Sequence, residues 1–121
     1  MTQITHWING SLDSKKPERT GDIYNPATGK VTGTVAFANA ATVDSAVSAA
    51  TAAFVEWRHS SLTKRTQVLF AFRELVQQNK EKIAALITAE HGKVLSDAAG
   101  EVTRGLEVVE FACGIPHLLK G

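Results

Sequence analysis

The stretch 104–119 constrains this chain more than any other part of it. It reads Arg104-Gly105-Leu106-Glu107-Val108-Val109-Glu110-Phe111-Ala112-Cys113-Gly114-Ile115-Pro116-His117-Leu118-Leu119. Wound into a helix, its apolar residues point to two sides: Leu106, Val109 and Cys113 share one face, and Val108, Phe111 and Ile115 share another. A helix apolar on two sides needs partners on two sides. The sequence runs only to Gly121, so little of it remains to cover the second face. The expectation is the front portion of a larger protein, carrying a greasy surface and none of the chemistry.

Composition narrows the function classes. The 121 residues suffice for one domain. A chain of this size hides roughly two-thirds of the surface it exposes when unfolded. Apolar residues make up 44% and charged residues 21%, as in ordinary globular chains. The net charge of +1 gives no field that would gather nucleic acid or an anionic membrane. Basic residues interleaved with aromatics, as single-stranded nucleic acid would require, are absent. Residues 106–119 are too short and too charged to span a bilayer, so no membrane partner is expected. Residues 1–7 show neither the basic-then-apolar pattern of a secretory signal nor the arginines of a transit peptide. Cys113 is the one cysteine, which excludes an intrachain disulfide and fits a reducing, cytoplasmic setting.

Two textures follow one another. Residues 4–38 hold glycines, prolines and short β-branched runs, whereas 42–119 are rich in Ala and Leu at helical spacing. Residues 4–9 alternate as a strand, and Asn9-Gly10 turns the chain into 11–13. A short strand over 22–24, a turn over 25–30 and a return strand over 31–37 come next. Thr42 is expected to cap a first helix with Asp44 in its first turn. The stripe of that helix is Val43, Ala46, Val47, Ala50, Ala53, Phe54 and Trp57, with Phe54 and Trp57 as core anchors and the alanine face available for helix packing.

Ser60 or Ser61 starts a second helix with Val68, Leu69, Phe72, Leu75 and Val76 inward. Asn79 ends it and caps a third, which turns Ile83, Leu86 and Ile87 inward and stops at Gly92. A fourth begins between Val94 and Asp97 and runs to about Gly114, with Pro116 shortly past its end. The fold class expected is an α+β fragment: antiparallel strands followed by about four helices.

These words, in this order, resemble the N-terminal portion of the aldehyde dehydrogenase superfamily. They are Trp7-Ile8-Asn9-Gly10, Tyr24-Asn25-Pro26-Ala27-Thr28-Gly29-Lys30, the alanine-rich helix ending Ala53-Phe54-Val55-Glu56-Trp57, and Leu86-Ile87-Thr88-Ala89-Glu90-His91-Gly92-Lys93. Each word is weak alone, and four in register are strong. The 90–93 word and the 104–116 stretch look like the CoA-acylating methylmalonate-semialdehyde (malonate-semialdehyde) dehydrogenase branch. The resemblance implies NAD-dependent oxidation of the semialdehyde with acyl transfer to CoA, yielding propionyl-CoA or acetyl-CoA, in valine and inositol catabolism. It implies that 1–121 is a partial segment of the α/β cofactor domain, with strands and turns over 4–38 and helices over 42–119. A full subunit in the family is much longer. Its oligomerisation strands, Rossmann-type sheet, general-base glutamate and nucleophilic cysteine all lie outside this pattern. NAD and CoA are therefore expected to bind the full-length family and not this chain alone.

Position by position, no catalytic, cofactor-binding or metal residue is assigned. Cys113 reads as a small apolar residue inside the fourth helix, because a reactive thiol needs exposure and an electropositive setting. His91-Gly92-Lys93 fails as a phosphate loop, since Ile87 stands where glycine is needed and Val94 where Ser or Thr is needed. No G-x-G-x-x-G occurs. His6, His59, His91 and His117 are scattered without ligand spacing. Glu107 and Glu110 read as a solvated or salt-bridged edge, and Arg104 as a partner for Glu101 or Glu107. The partners expected are further copies of the chain or full-length dehydrogenase subunits. Three alternatives stand beside the acylating fragment: a piece of a non-acylating aldehyde dehydrogenase, a short paralogue that docks on the full-length enzyme, and an independent helical module with coincidental words.

Overall fold

The structure, a computed structural model, describes residues 2–120, in which five strands precede five helices. They divide into two compact units, one reaching to His59 and the other starting at Ser60.

The first unit holds β1 (Thr2–Ile4), β2 (Trp7–Ile8), β3 (Ser11–Leu12), β4 (Arg19–Tyr24), β5 (Val31–Phe37) and α1 (Ala40–Trp57). β2 and β3 form a hairpin whose corners, Asn9 at φ 52° and Gly10 at φ 77°, both take the left-handed conformation that a two-residue turn demands. β4 and β5 pair antiparallel. The turn between them is held by the Asn25 side-chain oxygen, which accepts from the Ala27 N–H at 2.9 Å, and by the Asn25 carbonyl, which accepts from the Gly29 N–H at 2.8 Å. The expected antiparallel pairing thus holds for β2–β3 and β4–β5.

The stretch 4–9 is not one strand. It breaks after Ile4, and β1 runs parallel to β5 in a sheet of order β1-β5-β4. Gly33 permits this pairing, because a Cβ there would lie 2.5 Å from the Thr2 carbonyl oxygen.

Helix α1 starts earlier than its threonine suggests. Asn39 is the cap, its Oδ1 accepting from the Thr42 N–H at 2.9 Å, and Asp44 lies beyond the first turn. Thr42 instead donates its hydroxyl to the same oxygen. Asn ranks with Ser and Asp as a capping residue, so the competition between Asn39 and Thr42 falls to the better acceptor. The stripe of α1 has helical period but no buried member. Phe54 and Trp57 are exposed rather than core anchors, and the Arg58 guanidinium lies 5.7 Å from the Phe54 ring centre. Within this unit the alanine face of α1 meets the hairpin rather than another helix: Trp7, Ile8, Asn9 and Gly10 flank a hollow with Ala46, Ala49, Ala50 and Ala53.

The second unit is helical throughout: α2 (Leu62–Gln78), α3 (Lys80–His91), α4 (Leu95–Ala112) and the single turn α5 (Ile115–Leu118). Ser61 caps α2 by accepting from the Lys64 N–H at 3.2 Å. Asn79 both closes α2 and holds the N-cap position of α3: its side-chain amide donates to the Leu75 carbonyl at 2.8 Å and its carbonyl accepts from the Ile83 N–H at 3.0 Å, but its side chain makes no capping hydrogen bond to α3. Gly92 ends α3 at φ 85°, its N–H donating to the Thr88 carbonyl at 2.9 Å. Pro116 lies in the first turn of α5, where its missing N–H costs no helical bond.

The core of this unit is Ala84 on α3 with Ala98 and Val102 on α4, and Val76, Ile83, Ile87 and Ala99 pack on it. Two alanines at the centre bring α3 and α4 close together. On α2 the inward face is Leu62, Thr66, Leu69, Arg73 and Val76. Val68, Phe72 and Leu75 of the expected stripe are exposed, as is Leu86 of α3. The reason is that Thr66 can turn inward by donating its hydroxyl to the Leu62 carbonyl at 2.8 Å, and Arg73 by burying its stem while its head stays at the rim.

Candidate functional site

Helix α4 organises what this chain can do. Its first face closes: Ala98, Val102, Leu106 and Cys113 are buried, and Val109 is half-buried. Its second face does not close, with Val108 69% and Phe111 70% exposed. Ile115 has passed into α5 and is half-buried.

Cys113 sits at the C-terminal end of α4, with its N–H donating to the carbonyls of Val109 at 3.0 Å and Glu110 at 3.2 Å. Its thiol is free and buried there. Lys93, the cation beside Gly92, is turned onto α4, where its ammonium pairs with the Glu101 carboxylate. The guanidinium of Arg104 lies 3.9 Å from the same oxygen, one of the two pairings expected for it. The hydrogen bond from Lys93 holds the Glu101 carboxyl below the usual range, with further help from the charges of Lys93, Arg104 and His91 against the cost of desolvation. Helices α3 and α4 themselves are tied by the Lys80 ammonium, which donates to the Thr103 hydroxyl at 2.7 Å.

On the other side, Arg73 of α2 donates from Nε at 2.9 Å and Nη2 at 2.8 Å to one oxygen of Glu110 on α4. That hydrogen bond, with the charges of Glu110 and Glu74, raises the Arg73 pKa above its ordinary value. Glu110 is thus the salt-bridged edge expected of it. The histidines do not converge: among the described residues no group of three or more His, Cys, Asp or Glu is placed to hold a metal. No helix among those residues is long and apolar enough to cross a membrane.

The same three helices leave an open groove. Phe72 and Val76 of α2, Ile83 and Ile87 of α3, and Val102, Gly105 and Val109 of α4 line a hollow of about 250 Å³, with Glu101 at its rim. The walls are apolar and the one carboxylate is already paired, a lining that suits an apolar polypeptide segment. The capping oxygens of Asn39 and Ser61 occupy N–H groups of the α1 and α2 N-termini, where an anion would otherwise be received. The groove and the Lys93–Glu101, Lys80–Thr103 and Arg73–Glu110 ties escaped the sequence reading. The groove and the Lys80 and Arg73 ties join different helices, the Lys93 pair joins the α3–α4 loop to α4, and only the half-polar spacing of Thr66 and Arg73 on α2 hinted at which face turned inward.

Comparison with known proteins supplies the setting. Residues 12–121 match the model of the aldehyde dehydrogenase family. A malonate-semialdehyde dehydrogenase of Pseudomonas aeruginosa is 46% identical over 121 residues, which are 100% of this chain and 24% of that protein. The human mitochondrial methylmalonate-semialdehyde/malonate-semialdehyde dehydrogenase [acylating] is 43% identical over 115 residues, 95% of this chain and 22% of that protein. The crystal structure of a methylmalonate-semialdehyde dehydrogenase from Oceanimonas doudoroffii superposes with a TM-score of 0.95 at 47% identity, covering 100% of this chain and 25% of that one. A Sinorhizobium meliloti protein described as a methylmalonate-semialdehyde dehydrogenase, solved with NAD, gives a TM-score of 0.93 at 42% identity over 98% of this chain and 24% of that one. The chain thus spans about a quarter of the length of these relatives, at their N-terminal end, and its strands and helices match the N-terminal part of their fold. By the match over residues 12–121, the chain belongs to the aldehyde dehydrogenase family.

Proposed function

We propose that residues 1–121 form the front segment of the cofactor domain of a CoA-acylating semialdehyde dehydrogenase. The whole enzyme would oxidise methylmalonate or malonate semialdehyde with NAD and pass the acyl group to CoA, giving propionyl-CoA or acetyl-CoA, as in valine and inositol breakdown. The observation that carries this reading is the 46% identity to a malonate-semialdehyde dehydrogenase across the full 121 residues. In this proposal the segment contributes scaffold. It supplies no nucleophile, no general base and no ligand for NAD, CoA or metal, and the chain alone is inactive. The cofactor and the acyl acceptor are held by the three quarters of the relatives' length that these residues do not span.

The open face of α4 and the α2–α3–α4 groove are then the surfaces that receive that larger portion. Burying a single Val, Leu or Phe contributes roughly 1.5–3 kcal/mol, so covering Val108, Phe111 and Phe72 supplies a large driving force. A single, free cysteine suits a reducing, cytoplasmic setting.

The test is complementation. Residues 1–121 and the remaining three quarters of the Pseudomonas aeruginosa relative are produced separately and mixed. NAD reduction is followed with malonate semialdehyde, with and without CoA. The expected result is no turnover by 1–121 alone and CoA-dependent turnover by the mixture. Turnover by 1–121 alone, or a mixture that neither co-purifies nor reacts, overturns the proposal. Turnover of the mixture without CoA favours a non-acylating dehydrogenase.

The exposed second face of α4 favours one further reading, in which the chain docks on full-length subunits or on copies of itself as an interaction protein. Co-purification with the full-length relative at micromolar concentration supports it, and failure to co-purify removes it.

A further inference from the structure

We draw no further inference here: the strongest candidate, the open apolar groove where α2, α3 and α4 meet, belongs to the docking surface already proposed above, and nothing in the structure shows a second occupant for it.

Discussion

Gly92 turns α3 towards α4 at φ 85°, a conformation that costs a residue with a Cβ roughly 1–2 kcal/mol. Gly92→Ala is therefore expected to destabilise the α3–α4 pair by about that amount, read as a lower urea midpoint with an unchanged slope. Glu101 sets a pH dependence whose sign follows from its lowered pKa. A carboxyl that releases its proton more readily when folded stabilises the fold above its unfolded pKa, near 4.3. That contribution fades as pH falls through the folded value. Glu101→Gln is expected to lower the melting temperature at pH 7, and the gap from the parent chain should close on acidification below about pH 4. A gap that stays constant across that window would mean the Lys93–Glu101 pair contributes nothing through charge. Gly92 lies in the word Glu90-His91-Gly92-Lys93 and Glu101 faces it, so this segment serves as a helix stop and a clamp.

At the scale of elements, α4 separates two kinds of apolar residue. Leu106 is 4% exposed and Phe111 is 70% exposed, although they lie five residues apart on one helix. Leu106→Ala should cost about 2–5 kcal/mol of stability by the usual price of an emptied core site. Phe111→Ser should change the stability of the chain by no more than about 0.5 kcal/mol, as substitutions at exposed sites do. The same change should weaken association with the larger portion of the relative. Equal losses of stability from the two variants, by chemical denaturation, would contradict the two-faced description of α4. The periodicity of α2 was legible as helix, yet its inward edge was not. Leu69 and Val76 turn in, while Val68, Phe72 and Leu75 turn out, because a threonine and an arginine stem occupy inner positions that a hydrophobic stripe does not mark. Asn79 shows the same limit: it stands between α2 and α3 as expected, but its side chain could serve either helix, and it goes to the Leu75 carbonyl of α2.

At the scale of the whole molecule, twenty-one large hydrophobic residues are exposed among those described, against six buried apolar ones. No large side chain is fully buried among them. Such a surface is expected to bind a hydrophobic dye and to self-associate at micromolar concentration. Sedimentation velocity checks this: a monomer without dye binding would show that the exposed faces are covered in solution, and Val108→Ser with Phe111→Ser should reduce both signals if they are not. Residue order alone determined the family words, the two textures, the hairpin at Asn9-Gly10, the stop at Gly92 and the two apolar faces of the last long helix, because each depends on neighbours within a few positions. Only the tertiary structure decided that β1 lies parallel to β5, that Lys80 and Arg73 tie one helix to another while Lys93 ties the α3–α4 loop to α4, and which face of α4 stays open. Those outcomes depend on where distant segments come to rest, and local spacing carries no record of that.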